Sequence, residues 1–273
     1  MDWDTAYDNS AAVPGSAAFF DRWTHDAAAF RAAWPDRGRT ELDIPYGDHP
    51  RQRLDLFWPA GTAPRGLLFH VHGGYWIRTD KSVWSHCAQG ALERGLAVAV
   101  PSYRLCPNVS IASITADVAN ALALAAERIE GTVLLSGHSA GGHLVSRLLC
   151  RNVALPEATA ARIAAALSIS GLHDLRPLIH TPLNPTLQLS VPTARAESPA
   201  LQEPRAHTRL HAWVGADELP EFRRQAQLLP LIWAGQLAHA DHHAVAGAHH
   251  FNVIDGLMQP DSAMLATLLQ HLD

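Results

Sequence analysis

Cysteine is scarce in this sequence. Cys87, Cys106 and Cys150 are the only three in 273 residues, and no two lie close together. An odd and sparse set excludes a disulfide framework and a cysteine-based zinc site. Charge of one sign is lacking too. With 21 basic and 26 acidic residues the formal net charge is -5, so neither nucleic acid nor an anionic membrane surface is an expected partner. Long hydrophobic runs are also missing. No stretch reaches the roughly 18 apolar residues of a membrane span. The opening MDWDTAYDNS lacks the basic-then-apolar pattern of a secretory signal. The expectation is a cytoplasmic protein that does not engage a membrane.

What is present is apolar material. Hydrophobic residues make up 48% and charged residues only 17%, enough for a sizeable core and too little charge for a disordered chain. The length suits a single domain over 1–273. Residues 1–40 are rich in aromatics, and Phe19, Trp23 and Phe30 recur at helical spacing. This N-terminal helical segment is expected to pack on the main body or to cover the mouth of a site.

Further on, strand-like and helix-like segments alternate. Leu42–Pro45 and Arg53–Trp58 flank the turn-like Gly47–Pro50 and read as a hairpin. Gly66–His72, Leu96–Val100, Thr132–Ser136, Ile163–Ser170 and Leu210–Val214 read as buried strands, and Ala244–Ala246 as a last short one. Ser82–Arg94, Ile111–Ile129, His143–Arg151, Phe222–Trp233 and Ser262–His271 read as helices. Such alternation implies an α/β fold with a mostly parallel sheet and helices on both faces. Residues 172–204 break the rhythm. Six prolines there argue against a long helix, and the length suggests a small cap insertion.

Reactive groups in such folds collect just after the carboxyl ends of strands. Gly137-His138-Ser139-Ala140-Gly141 follows one strand and precedes a helical run, the context that a G-x-S-x-G nucleophile elbow requires. Ser139 is the candidate nucleophile. His72-Gly73-Gly74-Tyr75-Trp76 follows an earlier strand, and its paired glycines allow backbone N–H groups to approach an oxyanion. The expected donors are Gly74, Tyr75 and Ala140. Tyr75 and Trp76 suggest an apolar or aromatic pocket, with Trp76 a candidate substrate contact.

The order of this fold is serine, acid, histidine. The acid is then Asp217 or Glu218, adjacent after the strand Leu210–Val214, and the base is His249 or His250. His239, Asp241, His242, His243, His249 and His250 form a histidine-rich stretch, but neither HExxH nor a paired CxxC accompanies it. No metal is expected.

These motifs resemble the α/β-hydrolase esterases around kynurenine formamidase (arylformamidase), related to the hormone-sensitive-lipase group. The resemblance rests on His72–Trp76 with Asp80-Lys81-Ser82, on Gly137–Gly142, on Glu218–Gln225 and on His250–Ile254. It implies the α/β-hydrolase fold and a triad of Ser139, Glu218 and His250, with Asp217 in reserve. It further implies a small ester or amide substrate such as N-formyl-kynurenine, no cofactor and a homodimer as the compatible assembly. Other carboxylesterase chemistry, and more remotely a non-catalytic binding role, are the alternatives.

Overall fold

The apolar runs join in one eight-stranded sheet, ordered β1-β2-β4-β3-β5-β6-β7-β8. The computed structural model describes residues 2–61 and 63–272. β1 (Thr40–Pro45) and β2 (Arg53–Phe57) make the expected antiparallel hairpin. β2 pairs antiparallel with β4 (Ala97–Pro101). The remaining neighbours are parallel: β3 (Gly66–Val71), β5 (Thr132–His138), β6 (Ile163–Ile169), β7 (Arg209–Gly215) and β8 (His239–Val245).

β3 and β4 are buried at every position. Helices cover both faces, so these strands carry continuous apolar runs rather than alternating ones. Leu67 and Phe69 face one core with Ile114, Val118 and Leu144, while Leu68 faces the other with Trp23, Leu265 and Leu268. The first core is covered by helices Ile111–Arg128, Ala140–Leu148 and Pro220–Trp233. The second is covered by Ala17–Ala33 and Ala263–Leu269. In the N-terminal helix Trp23, Ala27 and Phe30 are buried, and Trp23 lies 4.6 Å from the Trp84 ring.

Three local expectations change. Ser82–Arg94 is not one helix. It comprises 3₁₀ turns at Lys81–Val83 and Ser85–Ala88, then a short helix at Gln89–Glu93. Trp84 leaves helical geometry at the junction, where its indole packs on Trp23. The last strand is His239–Val245, not Ala244–Ala246. It is a polar edge strand, defined by pairing with β7 and not by an apolar run. The helix Glu157–Arg162 is additional.

Residues 172–204 form no long helix. They fold as short turns at Arg176–His180, Asn184–Leu187, Val191–Glu197 and Pro199–Leu201. Each begins with a proline in its first two positions, where the missing N–H has no helical partner to lose. Among the described residues no helix is long and apolar enough to cross a membrane.

Candidate active site

The chain turns sharply where β5 meets the helix Ala140–Leu148. Ser139 sits on that turn at φ 56°, ψ −117°, a strained backbone for a residue with a Cβ. Neighbouring glycines make the turn sterically possible. A Cβ on Gly137 would lie 2.2 Å from the Gly141 carbonyl oxygen, and one on Gly141 would lie 2.0 Å from that of Val71. The Ser139 N–H donates to the Ile169 carbonyl at 2.8 Å, tying the turn to β6.

β3 and β5 run in parallel register, with Val71 opposite Gly137, so the loops that follow them emerge side by side. Gly73 packs so closely that a Cβ there would lie 2.8 Å from the His138 carbonyl oxygen. Gly74 adopts φ 115°, outside the range of other residues. His72 Nδ1–H donates to the Gly73 carbonyl at 2.7 Å, and Thr79 Oγ1 donates to the same oxygen at 2.8 Å. Burial pushes the His72 imidazole down to about 4, so it braces the loop as a neutral ring stacked on Tyr103. Gly74 and Tyr75 reach the cavity beside Ser139. Ala140, the first residue of its helix, has an amide without an intrahelical partner.

Trp76 corrects the sequence reading. It is fully buried in the core, with its ring 5.1 Å from that of His143, and it does not line the cavity. Tyr75 and Trp76 both take positive φ where the loop folds back, and the Trp76 indole lies inward.

The structure pairs Glu218, not Asp217, with a histidine. Glu218 Oε2 lies 2.7 Å from His250 Nδ1. Its Oε1 accepts from Ser170 Oγ at 2.5 Å and from the Gly215 N–H at 2.7 Å. Asp217 is exposed, and only its backbone N–H is engaged here, donating to the Ala248 carbonyl. His249 turns away, edge-on to Phe19. His138 Nε2–H donates to the His250 carbonyl at 2.8 Å and fixes that backbone. Burial holds His138 well below 6.5, so it stays neutral.

Ser139 and His250 line one cavity of about 310 Å³. Its walls are largely aromatic, from Trp3, Phe20, Trp23, Trp84 and Phe251, with Thr181–Leu183 contributed by the proline-rich segment. The N-terminal residues form part of the wall and are pinned at two points. Tyr7 Oη donates to Glu221 Oε1 at 2.6 Å, and Tyr75 Oη donates to the Tyr7 carbonyl at 2.6 Å.

Ser170, His138 and Tyr7 escape a sequence reading. Ser170 directly follows β6 at φ 52°, and its position after a strand is the one signal that could have found it. Tyr7 is 214 residues from Glu221, beyond any local pattern. The histidine-rich stretch divides. His239 and Asp241 meet His211 low on β7 and β8, at the opposite end of those strands from Glu218 and His250.

Comparison with known proteins agrees with this fold. The profile of the alpha/beta hydrolase fold family matches residues 68–231. Kynurenine formamidase of Danio rerio is 25% identical over 243 residues, covering 86% of this chain and 82% of that protein. A probable isoprenylcysteine alpha-carbonyl methylesterase of Arabidopsis thaliana is 30% identical over 150 residues, covering 50% of this chain and 32% of its own length. A crystal structure from Silicibacter sp., provisionally described as a thioesterase, superposes with TM-score 0.93 at 45% identity. It covers 98% of this chain and 99% of its own.

Proposed function

Because the chain belongs to the alpha/beta hydrolase fold family, we propose that it is a serine hydrolase that opens a small ester or amide bond, with an aryl formamide such as N-formyl-kynurenine as the leading substrate. The pairing of Glu218 with His250 on the cavity that also holds Ser139 carries this reading.

In the proposed mechanism Ser139 Oγ attacks the carbonyl while His250 Nε2 takes its proton. Glu218 holds the imidazole by Nδ1–H and stabilises the imidazolium that forms. The two bonds on its other oxygen keep the carboxylate in place. The amides of Gly74, Tyr75 and Ala140 receive the oxyanion, a fixed set of dipoles that need no rearrangement as charge develops. His250 then protonates the leaving group. Water activated by the same ring releases the acyl or formyl group from Ser139.

The aromatic walls suit a planar aryl leaving group, and the similarity to kynurenine formamidase points to a formyl acyl group. A second reading rests on the 45% identical structure described as a thioesterase. The same machinery would then cleave a thioester or a plain carboxylic ester.

The test is turnover of purified protein on N-formyl-kynurenine, p-nitrophenyl acyl esters and acyl thioesters, with Ser139→Ala as control. Fast release of kynurenine, lost in Ser139→Ala, is the expected result. Thioester or ester turnover without formamide cleavage would replace the substrate and keep the mechanism. Unchanged turnover in Ser139→Ala would overturn the mechanism.

A further inference from the structure

A second chemical cluster lies at the amino-terminal end of β7 and β8. Along β8, His239 and Asp241 share one face of the strand because side chains repeat every two residues. His211 of β7 is the register partner of Asp241. Three side chains therefore converge. His211 Nδ1 lies 2.9 Å from Asp241 Oδ1, and His239 Nε2 lies 3.0 Å from Asp241 Oδ2. One ligand atom from each residue falls within 4.8 Å of the others. His211 is buried, while the side chains of His239 and Asp241 are 52% and 44% exposed, so the cluster opens to solvent on one side.

The surrounding hydrogen bonds accommodate a ligating tautomer. The Gln270 amide donates from Nε2 to the Thr267 carbonyl at 3.0 Å, which fixes its orientation. The same nitrogen sits 3.4 Å from His271 Nε2, a contact in which that ring nitrogen can accept. His271 Nε2 is also 2.8 Å from His211 Nε2. With its Nε2–H donated to His271, His211 presents the Nδ1 lone pair toward Asp241, which is the tautomer in which that nitrogen can ligate a cation.

We propose that His211 Nδ1, His239 Nε2 and the Asp241 carboxylate bind a divalent transition-metal ion of the zinc class, with water completing the coordination. Two imidazoles and a carboxylate suit such an ion and do not suit Mg2+ or Ca2+, which favour all-oxygen sets. His271 is the outer partner that orients the ligating ring. Zinc bonds of about 2.0–2.2 Å require donor atoms a few tenths of an ångström further apart than the hydrogen-bonded spacing. The exposed ends of His239 and Asp241 can supply that. The ion fastens the polar edge strand β8 to β7. His211 precedes Gly215 by four residues, roughly 13 Å of strand, so this site is separate from the cavity of Ser139 and does not depend on the function proposed above.

The test uses the full chain without a histidine tag, stripped with a chelator and titrated with Zn2+ against a chromophoric competitor. One ion per chain should bind with micromolar affinity or tighter and raise the melting temperature. His239→Ala and Asp241→Asn, at exposed and half-buried positions of the edge strand, should each weaken binding at least tenfold. His242→Ala, one residue away with its side chain on the other face, should leave binding unchanged. Absence of binding, or the same affinity in His239→Ala and Asp241→Asn, would overturn the proposal. Loss of binding in His242→Ala alone would overturn the ligand set.

Discussion

His250 Nδ1 and Glu218 Oε2 stand 2.7 Å apart, and the second oxygen of the same carboxylate is held by Ser170 Oγ and the Gly215 N–H. The carboxylate is thus occupied on both sides and almost wholly buried. A glutamate is long enough to reach His250 from a position three residues after Gly215. The neighbouring Asp217 projects into solvent instead.

This pairing separates the two acidic residues by experiment. Glu218→Gln should lower kcat by roughly 10³–10⁴-fold, the scale seen when a triad acid loses its charge and the histidine its correct tautomer. Asp217→Asn should change kcat less than about twofold, since an exposed carboxylate contributes little. Steady-state kinetics of both variants check this, and a larger loss in Asp217→Asn would reverse the assignment.

In the proposed mechanism Ser170 acts through Glu218 as a positioning residue. Hydrogen bonds to charged groups contribute about 1.5–3 kcal/mol. Ser170→Ala should therefore reduce kcat by about tenfold or more while KM stays near its parent value. Ser170→Thr, which keeps the hydroxyl, should recover part of the loss if the larger side chain fits. A rise in KM with unchanged kcat would show that Ser170 meets substrate rather than Glu218.

Trp76 and Phe20 should behave oppositely. Trp76 is fully buried outside the cavity. Trp76→Ala should destabilise the fold by about 3–5 kcal/mol, read as a lower denaturation midpoint. Phe20 lines the cavity and is only partly buried. Phe20→Ala should raise KM for aryl substrates with a smaller change in stability. Equal KM effects from both variants would contradict the placement of Trp76.

The buried histidines predict acid sensitivity. Burial pushes His70 down to about 3 and His72 to about 4, from an ordinary 6.5. Above 6.5 both rings are neutral whether folded or unfolded, so they add no pH dependence. Below 6.5 the unfolded chain binds protons that the folded chain refuses, and stability falls with pH until the folded values are reached. At pH 5 the loss should be about 2 kcal/mol for each of these residues. Urea midpoints measured from pH 8 to pH 5 should fall mainly below pH 6.5. A flat profile would mean that these rings are protonated in the folded protein.

Much of the fold was legible in local pattern. Largely apolar runs marked β3 to β7, because strands covered on both faces are apolar over most of their length, with buried His70, Ser136, Ser168 and His211 as exceptions. Gly137–Gly142 and His72–Trp76 marked the two loops, because close backbone approach demands glycine at defined spacings. The polar edge strand His239–Val245 escaped such a reading, since its order comes from pairing with β7 and not from hydrophobic periodicity. Prolines did show where the segment 172–204 would break, but not that Thr181–Leu183 would reach the cavity.

The sequence by itself determined the α/β alternation, the elbow at Ser139, the glycines beside it and a choice of two acids and two histidines. Tertiary structure decided which of them pair. It set Glu218, not Asp217, against His250, while His249 packed on Phe19. It also buried Trp76, brought Tyr7 to Glu221 across 214 residues and set His211 beside Asp241. Local propensity reads backbone and burial along a few residues. These contacts depend on which strand lies next to which, and that is settled only when the sheet is assembled.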